Sequence, residues 1–306
     1  MPSTIITMGG YQPPSSVNNQ ACEEFGRGLE SRLGEEIRFD FDGNMVSTRG
    51  LKATDLPDMV SRGELTMCYF ASSYLTRHVP ELAIFDVPFV VRDRTRAAAA
   101  LDGKLGKEIA EKFREKSGLR VLAFWDNGFR HFTNGVHAIH SPADCAGLSI
   151  RSMNSELHQE FFRSLGFDPT FVDVADLVEA AKSGRIDAQE NPLTNTYNFG
   201  THHYHRHITL SAHLFGVILM LCHKDTFEAW PVPVRRAVEE AAAQATKVQR
   251  RLAAMEDDDI LARLDPRENE VVRLSDKERA VFEEAVAPVV ARQRERLGGS
   301  LFELLN

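Results

Sequence analysis

Strand-like and helix-like patterns alternate along this chain, and glycines separate many of them. Thr4–Met8 is rich in β-forming residues and ends at two glycines. Apolar residues then recur every four positions from Val17 to Leu33, which predicts an amphipathic helix. Ile37–Phe41 alternates apolar with charged residues, as a half-buried strand does. This order predicts an α/β fold whose open sheets carry helices on both faces.

Later segments continue this rhythm and add one long helix. Thr95–Ser117 is predicted to be a single helix, and Leu119–Trp125 and Leu148–Arg151 are predicted strands. Val234–Leu264 has an alanine-rich face and no internal glycine or proline, and it would span about 45 Å as a helix. Because that exceeds one small lobe, we expect it to brace two lobes. Ser275 begins a Ser-x-x-Glu capping box, which predicts a further helix.

Length and charge limit the class of protein. A chain of 306 residues favours two lobes over one compact domain. The net charge of −8 argues against a nucleic-acid partner, because phosphate contacts need a basic surface. The sequence contains no run of about 18 apolar residues, so we expect no transmembrane helix. Met1–Met8 has no basic segment followed by an apolar one, and whether a secretory signal was removed stays open.

Motifs for cofactors and metals are missing. The sequence has no GxxxxGK[ST] loop, GxSxG elbow or HExxH motif, and no GxGxxG follows a strand, so we expect no cofactor. The cysteines are widely spaced and form no CxxC pair, and the clustered histidines have no acidic or thiol partner at a familiar spacing. We therefore predict no metal site, and disulfides stay possible. These residues are Cys22, Cys68, Cys145, Cys222, His202, His203, His205 and His207.

Two arginines and an asparagine are candidates for contact with an anion. Arg130 follows the strand that ends at Trp125, where ligands gather in open α/β sheets, although an ion pair explains it equally well. Arg151 ends a predicted strand and offers a planar fork that matches a carboxylate; a solvated arginine is the alternative. Asn191 lies in the predicted loop Asp187–Pro192 and can donate and accept, although ordinary turn chemistry would also explain it.

Several segments together resemble the solute-binding proteins of tripartite ATP-independent periplasmic (TRAP) transporters, of the dicarboxylate type. Cys145–Arg151 is similar to their DLKGLKIR stretch, and Asn127–Asn134 is similar to NGFRxxTN. Gly184–Pro192 resembles GxxDGQENP, and Ser211–His213 resembles the end of LTxH. The motifs occur in the same order and at similar spacing, and the resemblance is compatible with the whole chain.

The resemblance implies a two-lobe α/β fold with a hinge, in which the ligand is enclosed between the lobes. It implies that Arg151 salt-bridges the ligand carboxylate, that Arg130 and Asn191 also contact the ligand, and that Phe171 lines the pocket. Further ligand-binding candidates implied in this way are Gln12, Ser72, Ser73 and Tyr74. To these we add His213, which lies where the chain is expected to cross between lobes. We place lobe I at residues 1–123 and 213–250, and lobe II at residues 124–212 and 251–306.

The function expected from the resemblance is binding without catalysis. A monomeric periplasmic protein would capture a small organic acid and deliver it to TRAP-type membrane permease subunits. The same closure could instead serve a periplasmic ligand sensor. A third hypothesis is an enzyme that acts on an organic acid, with Asp187 or Glu190 as general base near Arg151. The sequence does not identify the acid.

Overall fold

A computed structural model describes residues 4–305, so Met1–Ser3 of the N-terminal segment considered above lie outside it. Its strands are β1 Thr4–Gly9, β2 Ile37–Asp42, β3 Met67–Ala71, β4 Leu119–Asn134, β5 Ser149–Ser152, β6 Asp168–Phe171, β7 Ala188–Pro192, β8 His207–His223 and β9 Glu270–Arg273. Its α-helices are α1 Val17–Leu33, α2 Met45–Arg49, α3 Asp55–Ser61, α4 Arg94–Asp102, α5 Lys104–Lys116, α6 Glu156–Ser164, α7 Leu177–Lys182, α8 Leu193–Asn198, α9 Lys224–Ala229, α10 Val232–Arg263, α11 Asp276–Leu297 and α12 Gly299–Glu303. Within the described residues, no helix is both long and apolar enough to cross a membrane.

The chain divides into two compact units, and each contains segments that are distant in sequence. Unit 1 consists of Met1–Val79, Ala98–Asp126 and Val217–Met255. Unit 2 consists of Pro80–Ala97, Asn127–Gly216 and Glu256–Asn306.

Unit 1 is built on a sheet with the strand order β2-β1-β3-β8. β1 pairs in parallel with β2 and β3, and β3 pairs in antiparallel with the last part of β8, where Met67 lies opposite Cys222. The core that covers this sheet packs Phe25 and Leu29 of α1 against Val238 and neighbouring alanines of α10. The predicted apolar face from Val17 to Leu33 therefore forms a core helix.

Unit 2 is built on a sheet with the strand order β4-β7-β5-β6. β4 pairs in antiparallel with β7, whereas β5 pairs in parallel with β7 and β6. An aromatic core fills one side, with Phe132 of β4 close to Phe161, Phe167 and Phe282. This core fixes the strands that carry the candidate site.

Two predicted loops are strands in the structure. β4 does not end at Trp125 but runs on to Asn134, so Arg130 lies within a strand and not beyond one. The predicted loop at Asp187–Pro192 is largely β7, which pairs with that second half of β4. The alternation expected of a strand is hidden here, because every residue of β7 is buried and most are polar. Burial on both faces removes the pattern of period two from which strands are recognised.

The segment Pro80–Ala97 belongs to unit 2, whereas the sequence placed it in lobe I. Phe89 of this segment lies in the aromatic core of unit 2, and its backbone N–H donates to the carbonyl of His213 at 2.8 Å. Arg94 also binds Asp257, with 2.8 Å between Nη2 and Oδ2. The other three points at which the chain changes units lie three to five residues after the predicted boundaries.

The helix predictions differ in detail from the structure. The predicted long helix is α10, which has 32 residues. Ser275 caps α11 with the expected reciprocal bonds to Glu278. The single helix predicted at Thr95–Ser117 is instead α4 and α5, because the chain breaks at Gly103 in a conformation that is neither helical nor extended.

Candidate anion-binding site

A buried ion pair lies at the centre of unit 2. Because β4 and β7 pair in antiparallel, with Arg130 opposite Pro192, the Arg130 side chain reaches Glu190 two residues along β7. Nε and Nη2 of Arg130 donate to the two carboxylate oxygens of Glu190 at 2.5 and 2.7 Å. Both side chains are nearly inaccessible to solvent. This two-point contact is the strong geometry for arginine and carboxylate, and it holds Arg130 in one orientation.

His213 extends this pair on the side of Glu190. Its Nε2 lies 3.3 Å from a Glu190 carboxylate oxygen, and its Nδ1 lies 2.7 Å from the Ser211 hydroxyl. The ring stacks on Phe132 with 4.0 Å between centroids. Burial lowers the pKa of His213 to about 4, so the ring is neutral at pH 7, and the contacts place its proton on Nε2. His213 thus orients Glu190.

The ionisation of Glu190 follows from its two partners. Burial alone would raise the pKa of this carboxyl, but the Arg130 guanidinium and the His213 hydrogen bond hold it below its usual value. Glu190 is therefore a carboxylate at pH 7, and it balances the charge of Arg130 inside the protein.

A chain of neutral hydrogen bonds continues from Arg130 along β7. Oδ1 of Asn191 lies 3.3 Å from Nη2 of Arg130, and its Nδ2 donates to Oε1 of Gln189 at 2.6 Å. Gln189 donates in turn to the Thr133 hydroxyl at 2.6 Å. All four side chains are buried. The network fixes the amide of Asn191 relative to Arg130.

Arg151 lies on β5, the next strand of the same sheet. Ile150 is in register with Ala188 of β7, so Arg151 and Gln189, one residue further along each strand, share a face of the sheet. Only 2% of Arg151 is exposed, and its Nε donates to the carbonyl of Val172 at 2.9 Å. That bond orients the guanidinium plane, as recognition of a planar carboxylate requires.

Phe171 is exposed, whereas the other predicted ligand-binding residues of unit 2 are buried. It ends β6 opposite Ser152 of β5, and 47% of its surface is exposed. The exposed ring lies one residue before Val172, whose carbonyl orients Arg151. It is therefore available to pack against a ligand.

The predicted residues of unit 1 gather at one edge of its sheet. β1 and β3 are parallel neighbours, so Gln12 after β1 and Ser72–Tyr74 after β3 follow strand ends at the same edge. Gln12 and Ser72 are buried, and Oε1 of Gln12 accepts from Asn18 at 3.0 Å. Ser73 and Tyr74 are partly exposed. Whether these side chains touch a ligand stays a prediction.

Glu190 is the residue that the sequence did not place in the binding site. It was considered only as a general base, although it stands beside Asn191 in the segment that carries the resemblance. No local signal indicates its role, because its pairing with Arg130 depends on the register between β4 and β7.

The clustered histidines and the cysteines have separate structural roles. His202 stacks on Tyr197, the His205 ring approaches the Thr133 hydroxyl at 3.4 Å, and His207 pairs with Glu270. Among residues 4–305, no group of three or more His, Cys, Asp or Glu side chains is arranged to hold a metal ion. The four cysteines are free thiols, and all are buried.

Comparisons with known proteins agree with the fold. Residues 8–296 match the model of the family DctP, bacterial extracellular solute-binding protein family 7. The chain is 30% identical to a solute-binding protein of Verminephrobacter eiseniae over 94% of this chain and 84% of that protein. It is 29% identical to the 2,3-diketo-L-gulonate-binding periplasmic protein YiaO of Escherichia coli over 90% and 83%. A TRAP periplasmic solute-binding protein of Roseobacter denitrificans, solved with bound β-D-glucuronate, matches with a TM-score of 0.91 at 27% identity and covers 98% of both chains.

The α/β fold of two lobes and these matches define the class of protein, which is the class that binds solutes. The chain belongs to bacterial extracellular solute-binding protein family 7. The predicted family, the two-lobe fold class and the solute-binding function are thereby confirmed.

Proposed function

We propose that this protein binds the carboxylate of a small organic acid at Arg151, in the periplasm, and delivers the acid to TRAP-type membrane permease subunits. The observation that carries the proposal is the buried Arg151 guanidinium, oriented by the Val172 carbonyl on the strand next to β7. A planar fork of donors fixed in this way matches a carboxylate in two-point contact. The relatives named above include proteins that bind sugar acids, which agrees with this ligand class.

The other residues of unit 2 complete the proposed ligand shell. Asn191 presents an amide whose orientation is set by Gln189, and the ring of Phe171 packs against the body of the acid. Arg130 approaches the ligand with its charge already balanced by Glu190, so it acts mainly as a donor of hydrogen bonds. His213 is a positioning residue that acts through Glu190. In unit 1, Gln12, Ser72, Ser73 and Tyr74 are the proposed contacts.

The same contacts support binding without catalysis. A general base needs a carboxylate that accepts a proton near neutral pH, but Glu190 is held by Arg130 and its pKa is lowered. The other candidate, Asp187, accepts from both the backbone N–H and the hydroxyl of Ser149, which fixes the start of β5. We therefore propose that the protein is not an enzyme.

The proposed partners are the small organic acid and the permease, and we propose that the protein acts as a monomer. A periplasmic sensor that reports the same ligand to a membrane receptor is the alternative. Uptake of the acid by cells that carry the permease genes, and its loss when the gene for this protein is deleted, supports transport. Unchanged uptake in the deletion strain supports the sensor.

The experiment that tests the site compares ligand binding by the native protein and by Arg151→Ala. A panel of sugar acids, dicarboxylates, keto acids and aromatic acids is screened by thermal denaturation, and the Kd of the best ligand is measured by calorimetry. A ligand at 100 times its Kd stabilises the folded protein by about 2.7 kcal/mol. Arg151→Ala should weaken binding by about 2–5 kcal/mol, since it leaves a buried carboxylate unpaired.

Two further variants make the result specific. Arg151→Lys keeps the charge but not the fork, and it should bind more weakly than the native protein. Arg163→Ala, which removes an exposed arginine of α6 that donates to Gln159, should bind normally. Mass spectrometry of the denatured protein identifies any acid that co-purifies. Unchanged affinity in Arg151→Ala would rule out Arg151 as the carboxylate site.

A further inference from the structure

The hydrogen bonds that lead from Arg130 along β7 continue as far as His205. Nη2 of Arg130 donates to Oδ1 of Asn191 at 3.3 Å, and Nδ2 of Asn191 donates to Oε1 of Gln189 at 2.6 Å. Gln189 donates to the Thr133 hydroxyl at 2.6 Å, and that hydroxyl lies 3.4 Å from Nδ1 of His205. All five side chains are buried, so bulk water does not compete for these bonds. We call this line of side chains the amide chain.

The amide chain can run in only one direction, because a guanidinium stands at one end. Arginine has N–H donors and no acceptor, so Asn191 must turn its oxygen toward Arg130 and its NH2 group toward Gln189. Gln189 then uses its oxygen for Asn191 and its NH2 group for Thr133. The Thr133 hydroxyl accepts from Gln189, and its own proton is left to donate to His205. His205 is therefore the final acceptor.

His205 can accept at Nδ1 because its ring is neutral. Burial lowers the pKa of His205 to about 4, although the Ile186 carbonyl and the Asp187 carboxylate favour the protonated ring. A ring with a proton on Nδ1 would place a donor at both ends of the amide chain. One buried donor would then lose its acceptor, which costs free energy. The amide chain thus requires the neutral ring with its proton on Nε2.

The direction of the amide chain decides which atom of Asn191 a ligand meets. The Asn191 oxygen accepts from Arg130 and also from Nδ2 of Asn195 at 3.3 Å, so both of its lone pairs are used. Nδ2 of Asn191 has two N–H groups, and Gln189 uses one of them. The group left over is an N–H, which attracts a carboxylate, whereas a flipped amide would present an oxygen that repels it. The direction therefore favours an anion.

We propose that His205 is a positioning residue for anion binding, which keeps an N–H of Asn191 directed at the ligand through Thr133 and Gln189. This inference rests on the proposed function, because it takes Asn191 as a contact of the bound acid. The contact between Thr133 and His205 is the longest in the amide chain. Its loss should therefore have a moderate effect, and we expect affinity to fall about threefold to tenfold.

Two pairs of variants test the last link of the amide chain. His205→Leu removes the acceptor, whereas His205→Asn offers an amide oxygen near the position of Nδ1. Thr133→Val removes the hydroxyl with little change of shape, whereas Thr133→Ser keeps it. The matched control is His202→Leu, which removes another buried histidine of unit 2, whose ring stacks on Tyr197.

The affinity of each variant is measured by calorimetry at pH 7, and its stability by thermal denaturation. The probe is the acid of the panel above that has the lowest Kd for the native protein. His205→Leu and Thr133→Val should bind it about threefold to tenfold more weakly, and His205→Asn and Thr133→Ser should retain most of the affinity. His202→Leu should bind as the native protein does, even where it lowers the melting temperature as much as His205→Leu.

The outcomes separate this inference from the proposed function. If His205→Leu and Thr133→Val bind normally while Arg151→Ala does not, the inference is overturned and the proposed function stands. Affinity that falls in step with stability in every variant, His202→Leu included, also overturns it, because His205 would then have a structural role alone. If Arg151→Ala binds normally, the proposed function fails and this inference fails with it.

A measurement without ligand tests the direction of the amide chain itself. Long-range proton–nitrogen NMR correlations of the native protein, labelled with ¹⁵N-histidine at pH 7, identify the protonated nitrogen of His205, and the spectrum of His205→Asn assigns the signal. We expect the proton on Nε2, and we expect Thr133→Val to shift the Nδ1 signal because it removes the donor to that atom. A proton on Nδ1, or an Nδ1 signal that Thr133→Val leaves unchanged, overturns the inference.

Discussion

The central polar networks of the two units differ in charge. At the centre of unit 1, the Tyr69 hydroxyl donates to Oδ1 of Asn19 at 2.8 Å, and Nδ2 of Asn19 donates to the backbone carbonyls of Gln12 and Pro13 at 2.9 Å. The central network of unit 2 instead contains the Arg130–Glu190 ion pair and His213. The unit 1 network is made of neutral amides and hydroxyls, whereas the unit 2 network joins an ion pair to neutral side chains.

This difference is consistent with the proposal that unit 2 carries the carboxylate site. A neutral network gains little beyond its own hydrogen bonds, each worth about 1 kcal/mol. A buried ion pair is poorly explained by stability alone, since an apolar replacement is often as stable. We infer that unit 2 keeps its charges because they hold donors such as Arg130 and Asn191 in fixed orientations for a carboxylate.

The largest effect is expected when one charge of the unit 2 network is removed. Glu190→Ala leaves the Arg130 guanidinium buried without its carboxylate, and it should lower the free energy of unfolding by about 3–5 kcal/mol. Urea denaturation measures this change. The matched control is Glu160→Ala, which breaks the exposed pair with Arg292 and should cost about 0–1 kcal/mol. If both variants lower the free energy of unfolding equally, burial does not explain the cost of breaking the Arg130–Glu190 pair.

A smaller effect is expected when the neutral network of unit 1 is broken. Asn19→Ala removes the nearer acceptor of the buried Tyr69 hydroxyl and should cost about 1–3 kcal/mol in urea denaturation. Gln20→Ala is the neighbouring control, because the Gln20 amide is exposed and donates to the Ser15 carbonyl at the surface. If Asn19→Ala lowers the free energy of unfolding by more than Glu190→Ala does, the neutral network of unit 1 contributes more to stability than the ion pair of unit 2, contrary to our expectation.

Acid should weaken unit 2 before unit 1. Burial lowers the pKa of His131 to about 3 and of His205 and His213 to about 4, from 6.5, and all three lie in unit 2. Between pH 6.5 and pH 4 the unfolded chain binds protons that the folded chain does not, so stability falls as the pH falls. Glu190 adds to the loss only at the acid end of this window, where the carboxyl of the unfolded chain, with its ordinary pKa of 4.5, binds a proton that the folded carboxylate does not.

Hydrogen exchange can resolve this difference. From pH 7 to pH 5, protection factors that report unfolding of β4 and β7 near residues 131–134 and 188–192 should fall by roughly tenfold or more. Protection of β1 should change less. Among the described residues of unit 1, His78 is the one histidine with a lowered pKa, and it is only partly buried. A fall of equal size in β1 would argue against the buried histidines as the cause.

The smallest effect is expected for the cysteine thiols. Burial raises the pKa of Cys22, Cys68 and Cys222 in unit 1 and of Cys145 in unit 2. A buried thiol with a raised pKa is a poor nucleophile. We expect no reaction with a thiol reagent in native buffer and four reactive thiols in urea. Rapid labelling in either unit under native conditions would identify that unit as locally open.

Parts of the site were predictable because they depend on short segments. Arg151 was placed at a strand end by its own neighbours, and the structure has it in β5. Arg130 and Asn191 were also selected, but both were assigned to loops, since buried polar strands lack the apolar alternation that marks a strand. Their hydrogen-bond partners could not be predicted, because a register between strands sixty residues apart leaves no local pattern.

The sequence by itself determined the family, the α/β class and the elements whose signals are local. α10 and the capping box at Ser275 depend on residues within a few turns of each other, so periodicity is sufficient to find them. Tertiary structure decided that Arg130 pairs with Glu190, that His213 orients this pair, and that Pro80–Ala97 joins unit 2. The physical reason is burial. The cost of burying a charge makes its partner obligatory, and only the packed strands determine which partner is within reach.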